Sequence, residues 1–120
     1  MSALTSSHLL SVFGFNENDV FVGGAEGTML HYDGSQWTPM ETGGRWTFKD
    51  IWGTSAEDIY AVGDNAAMLH YDGKKWSPIE PLKDEYYTKV KGLGSNQVYV
   101  AGENGTVIKY NGKKWSDMSL

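Results

Sequence analysis

Apolar and polar residues along this chain alternate in short bursts, each closed by glycine, aspartate or asparagine. In the central third, Phe48 to Trp52 alternates as a strand that ends at Gly53, and Asp58 to Gly63 is a second strand dense in β-formers. Ala67 to Tyr71 makes a third strand and Lys75 to Ile79 a fourth. The last two are joined by Asp72-Gly73-Lys74-Lys75, where the aspartate can close an Asx-turn and the glycine can take the positive φ of a tight hairpin. Asp33-Gly34 and Asn111-Gly112 repeat that turn on either side.

The repetition extends to the whole pattern. Gly14, Gly53 and Gly92 are 39 residues apart, and so are Gly24, Gly63 and Gly102, then Tyr32, Tyr71 and Tyr110. Gly34, Gly73 and Gly112 keep the same interval, as do Trp37, Trp76 and Trp115. An unbroken period of this size, filled by four short strands, predicts an all-β chain of three four-stranded antiparallel blades of a β-propeller. A solenoid of β-turns is the alternative. The blades are placed at about residues 5–42, 43–81 and 82–120. A chain of 120 residues would otherwise be read as one domain around a single core.

Composition narrows the function. Fifteen Asp and Glu against ten Lys and Arg give a formal net charge of -5, which repels a phosphate backbone, so no nucleic-acid partner is expected. With no cysteine there are no disulfides, thiolate metal sites or cysteine nucleophile. The segment from Met1 to Phe13 has a brief apolar patch at Leu9, Leu10, Val12 and Phe13. It lacks a basic start and a small-residue cleavage site, so no signal peptide is expected. No apolar run approaches the roughly 18 residues of a membrane span, so a soluble chain without a membrane partner is expected. Fifteen glycines and 13% aromatics suit many short strands joined by tight turns.

The middle copy, with Ile59-Tyr-Ala-Val-Gly63, His70-Tyr71-Asp72-Gly73, and Trp76 followed by Ile79, resembles a compact kelch repeat. It is still more similar to kelch-like bacterial propeller repeats that read W-G-x-x-x-x-D-[VI]-[YW]-A-V-G followed by H-Y-D-G-x-x-W. The resemblance runs from about Leu9 to Met118. It departs from true kelch in its period, which is near 50 there, and in having Gly63-Asp64 and Gly102-Glu103 where a double glycine is usual. The Tyr-Asp-Gly-x-x-Trp segment also resembles the Asp-box of sialidase-like propellers, one residue short and without the preceding Ser or Thr. The resemblance implies a binding or scaffold module that contacts a protein or peptide through its loops.

Propellers have four to eight blades, so three blades leave two blade faces open. The simplest closure is a homodimer, two chains head to tail in a six-bladed ring. A longer chain carrying the remaining blades is the other possibility.

Candidate residues follow from this frame. Trp37, Trp76 and Trp115, with Tyr32, Tyr71 and Tyr110 beside them, are expected to be structural wedges between neighbouring sheets. So are the repeat glycines Gly24, Gly63 and Gly102. His31 and His70 share a repeat position whose third member is Lys109; whole blades separate them, so no metal site is expected. Ligand-binding residues are sought among the non-repeated ones. Arg45 and Trp46 stand in one connection between blades, and Tyr86 and Tyr87 in the next. Glu26, Asp64 and Glu103 stand in successive loops between second and third strands. The inner-strand columns Phe13, Trp52, Lys91 and Ser11, Asp50, Lys89 change character from blade to blade, which points to a channel role for Trp52 and Lys91. No nucleophile elbow, P-loop or dinucleotide fingerprint occurs, Arg45 is the only arginine, and no catalytic residue or cofactor is assigned. Three classes remain, in this order: a non-enzymatic protein- or peptide-binding propeller; a lectin in which Trp46, Trp52, Tyr86 or Tyr87 stacks on a sugar; and a hydrolase or lyase fragment.

Overall fold

A computed structural model of the chain describes Thr5 and residues 7–119. Leu120, the last residue assigned to the third blade, lies outside the described residues. Twelve strands form three separate sheets. The first holds β1 (Leu9–Asn16), β2 (Asp19–Gly24), β3 (Met29–Tyr32) and β4 (Trp37–Pro39) in that order. The second holds β5 (Phe48–Ser55), β6 (Asp58–Gly63), β7 (Ala67–Tyr71) and β8 (Trp76–Pro78). The third holds β9 (Tyr87–Gly94), β10 (Gln97–Gly102), β11 (Val107–Tyr110) and β12 (Trp115–Asp117). All pairings are antiparallel, and the register repeats with the period: Val12 opposes Val22, Ile51 opposes Ala61 and Val90 opposes Val100. Among the described residues no helix is long and apolar enough to cross a membrane.

Two strand boundaries differ from expectation. Gly53 does not end its strand. β5 runs on to Ser55, and Gly53 sits beside an irregularity in the pairing, where a Cβ would come within 2.6 Å of the Asp58 carbonyl oxygen. The fourth strand is shorter than Lys75 to Ile79, because Lys75 belongs to the turn and Pro78, with no N–H to donate, is tolerated only at a sheet edge. The turn itself forms as the sequence specifies. The Asp72 carboxylate accepts from the Lys74 and Lys75 amides at 2.9 and 3.0 Å, with Gly73 at φ +97. Asp33 and Asn111 make the same pair of bonds one blade away on either side.

There is no single core. The sheets lie face to face through their first and second strands, and two apolar clusters fill the two spaces between them. The first joins Phe21 and Met29 of sheet 1 to Phe48, Ile51, Ile59 and Trp76 of sheet 2. The second joins Tyr60, Val62 and Met68 of sheet 2 to Tyr87, Val90 and Val98 of sheet 3. Side chains alternate along a strand, so sheet 2 gives one set of residues to each neighbour and buries both faces. Gly24, Gly63 and Gly102 recur because the backbone at the start of the first strand passes against them. A Cβ there would collide with the carbonyl of His8, Thr47 and Tyr86 respectively.

The tryptophan column follows this stacking and shows where it stops. In each blade the tryptophan packs against its tyrosine, with centroids 5.1, 5.2 and 4.9 Å apart, the rings tilted in the first two blades and stacked in the third, and Trp76 and Trp115 face the preceding sheet. Trp76 is 6% exposed against sheet 1, and Trp115 meets Tyr60 of sheet 2 edge-on at 6.0 Å. Trp37 meets no preceding sheet among the described residues and is 39% exposed.

Candidate functional site

The loops on one rim are tied together by backbone bonds that cross between blades. The Gly27 amide donates to the Trp46 carbonyl at 2.6 Å, and the Thr42 hydroxyl donates to the Gly27 carbonyl at 3.1 Å, so the connector before β5 is sewn to the β2–β3 loop. On its other side the Asp64 amide donates to the Thr47 carbonyl at 3.2 Å. This fixes Gly44, Arg45, Trp46 and Thr47 opposite Asp64 and Asn65, around a cleft of about 300 Å³. The indole is held by its Nε1–H, which donates to the Thr42 carbonyl at 3.1 Å. Gly44 leaves room for it, since a Cβ there would lie 2.9 Å from Nε1.

The cleft continues past Trp46. A second hollow of about 240 Å³, walled by Met68, Pro78, Ile79 and Pro81, shares Trp46 and Asn65 with the first. The result is a bent groove with an apolar end and a charged end. At the charged end Arg45 is exposed, and the Asp64 carboxylate lies 3.6 Å from the Lys49 ammonium. An extended chain could lay an apolar side chain beside Trp46 and a polar or charged one between Arg45 and Asp64.

Of the residues singled out from sequence, Arg45, Trp46 and Asp64 are brought together. Glu26, Glu103 and Tyr86 lie on the same rim outside the groove. The three acids do not form one ring of equivalent positions. Glu26 takes the left-handed turn position (φ 57) that Asn65 and Asn104 fill in the other blades, whereas Asp64 and Glu103 are the residues before it. Tyr87 cannot stack on a ligand: it is completely buried, with its hydroxyl donating to the Lys83 carbonyl at 2.6 Å, in the position Phe48 holds one blade earlier. Burial, and secondarily the acids nearby, raises its pKa.

Nor is the Phe13, Trp52, Lys91 column a channel lining. Phe13 and Trp52 pack between blades, Trp52 stacked 6.5 Å from Tyr60, and Lys91 is exposed on a face of the third sheet that no sheet among the described residues covers. Ser11 and Asp50 of the neighbouring column likewise sit at joints, whereas Lys89 is exposed. The Ser11 hydroxyl donates to the Phe48 carbonyl at 3.4 Å, and Asp50 accepts from the Val90 amide at 2.9 Å. Asn65, the neighbour of Asp64 in the loop, joins Arg45, Trp46 and Asp64 in the groove, whereas the wall of Met68, Pro78, Ile79 and Pro81 is not among the residues expected from sequence. The signal was available in the loss of repeat character between Thr42 and Trp46.

A larger hollow of about 510 Å³ opens on the opposite rim between sheets 1 and 2, beside Asn16, Phe21 and Tyr71. Its histidine is already engaged: His31 Nε2 lies 2.6 Å from the Asp19 carboxylate, as His70 lies 2.8 Å from Asp58 one blade on. No group of three or more potential metal ligands converges among the described residues.

No family model and no curated protein matches this chain. Solved structures do. It superposes on YCF48 from Cyanidioschyzon merolae with a TM-score of 0.77 over 98% of its length, at 21% identity and over 38% of that chain. On YCF48 bound to D1 peptide the TM-score is 0.78, again over 98% of this chain at 21% identity, and over 42% of the other. The fold is that of a β-propeller. The chain spans about two-fifths of the length of these propeller structures, and its likeness to them is one of fold.

Proposed function

We propose that this chain is a non-enzymatic propeller module that binds an extended peptide segment of a partner protein in the rim groove centred on Trp46. The observation that carries this reading is the continuity of the groove: a half-buried, oriented indole joins an apolar hollow to a charged cleft, on loops held rigid by bonds between blades. Sequence-tolerant peptide sites are built this way, with aromatic and aliphatic walls and a few polar groups that fix orientation. One of the structurally similar propellers is itself a complex with a peptide, which supports the class of partner without specifying its sequence. The glycan reading gains no support, since Trp52 and Tyr87 are packed between or within blades and Trp46 and Tyr86 stand on different connectors.

The test is selection from a random-peptide phage library, followed by calorimetry with a selected synthetic peptide. Arg45→Ala and Trp46→Ala are each expected to weaken binding at least about tenfold, or 1.4 kcal/mol, and Glu103→Ala to leave it unchanged. A glycan array is expected to be silent. Selected peptides whose affinity ignores both groove substitutions would sink the proposal.

A further inference from the structure

The two outermost blade faces each repeat one side of the internal joints. Each internal joint sets the trailing face of one blade on the leading face of the next. One period before the buried leading residues Phe48, Ile51 and Trp76 stand Leu9, Val12 and Trp37, and Val12 is 69% exposed. One period after the buried trailing residues Tyr60 and Met68 stand Tyr99 and Val107, with Leu93 beside them, 79% exposed. Large apolar surface left open in this way marks an interaction site.

Polar groups carry the same registration. The internal joints are crossed by backbone bonds from the Gly27 amide to the Trp46 carbonyl and from the Ala66 amide to the Glu85 carbonyl at 2.7 Å. The next members of this series are the Gly105 amide and the Ser7 carbonyl, and neither has a backbone partner among the described residues. Ser11 donates to the Phe48 carbonyl across the first joint; its counterpart Lys89 is also a donor, and the counterpart acceptor is the Leu9 carbonyl on the open face. Lys109 replaces the ring-stacked His31 and His70, and its ammonium lies 5.7 Å from the Tyr99 ring centroid. The opposing leading face presents the tilted Tyr32–Trp37 ring pair, a surface that attracts a cation.

We propose that a second copy of this chain covers both faces. The trailing face of blade 3 in each copy packs on the leading face of blade 1 in the other, closing a six-bladed ring through two identical joints. A second copy supplies both complementary faces at once, with the backbone donor and acceptor already in step. A head-to-tail contact that closes leaves no open end. The inference rests on the propeller fold and not on the rim groove.

Sedimentation velocity on the whole chain tests it. The native protein is expected to sediment with twice the 13.3 kDa mass of one chain. Val12→Asp spoils only the leading face and Leu93→Asp only the trailing face. Both positions are exposed in the single chain, so each variant is expected to keep its circular dichroism and to be monomeric. Mixed together, the two variants retain one intact joint and are expected to form a weaker dimer. A monomeric native chain, an open-ended series of masses, or a variant that dimerises as the native chain does would overturn the proposal. Groove substitutions such as Arg45→Ala are expected to leave the mass unchanged, so failure of the peptide reading is separable from failure of this one.

Discussion

Alanine placed at one repeat position in all three blades turns the chain into its own control. Val12, Ile51 and Val90 occupy the same place on β1, β5 and β9, yet they are 69%, 1% and 0% exposed in the single chain. Val90→Ala removes two carbons from a sealed joint. Transfer alone costs about 1.6 kcal/mol at roughly 0.8 per methylene, and the residual cavity brings the loss to about 2–3 kcal/mol. Ile51→Ala removes three carbons, and about 3–4 kcal/mol is expected. Val12→Ala in an isolated chain removes carbons that already touch water and is expected to cost less than about 0.5 kcal/mol. Once two chains close the ring, Val12 lies in a joint like that of Val90, and each of the two joints loses about 1.6 kcal/mol or more.

The assay is urea unfolding, followed by tryptophan fluorescence and circular dichroism at a series of protein concentrations. A dissociating dimer makes the midpoint concentration-dependent. The Val90→Ala and Ile51→Ala losses should appear at every concentration, whereas the Val12→Ala loss should grow as the protein is concentrated. If Val12→Ala stays silent at concentrations where the chain is dimeric, the two open faces are not the joint. If Val90→Ala is silent, β9 does not pack against sheet 2.

Other consequences are independent of assembly. Gly92→Ala drives a Cβ into the six-membered ring of Trp52 and is expected to cost about 1–3 kcal/mol, read as a lowered melting temperature; Gly14→Ala, whose Cβ would come no nearer to any atom than the 3.3 Å to the Val20 side chain, should be far milder. Asp33, Asp72 and Asp117 have pKa values lowered below the ordinary 3.8, the first two mainly by turn amides and Asp117 mainly by the Ser119 hydroxyl. Their contribution to stability is therefore present above that value and is lost as pH falls through the lowered ones. Asp72→Asn keeps an acceptor for the turn, as Asn111 already does, so its acid-denaturation profile should be shallower while stability at neutral pH is retained. Burial, followed by the nearby Asp58, raises the Tyr60 pKa well above 10; ultraviolet titration should show Tyr60 ionising only on unfolding, and stability should fall as pH rises past the ordinary tyrosine value. Glu26→Asn relieves a left-handed glutamate at a position where the other two blades already use asparagine, and a gain of up to about 1 kcal/mol in urea unfolding is expected.

The fold was legible because its anchors are local and repeated. Asp72-Gly73 and its counterparts announce hairpins, and the 39-residue interval aligns every strand. The direction in which side chains point was much less legible. Both faces of a propeller blade are buried, so no polar face fixes which alternate residues meet the preceding sheet and which the following one. Lys91 and Lys89 looked like a change of function along an inner strand. They lie on a face that no other sheet among the described residues covers. Tyr87 looked exposed because it follows Lys83-Asp84-Glu85, yet its period partner Phe48 is a core residue, and that equivalence was readable. Trp46 and Asp64 were picked separately as non-repeated rim residues. Their convergence depends on bonds between a connector and two loops, which no local pattern in the sequence encodes.

The proposed six-bladed ring pairs the three blades of one chain with the three of a second copy. Light scattering on the unmodified chain, as it elutes from a sizing column across a dilution series, tests it most directly. A single species at twice 13.3 kDa, giving way to one chain only on dilution, is the predicted result. A species that stays at 13.3 kDa at every concentration would contradict it.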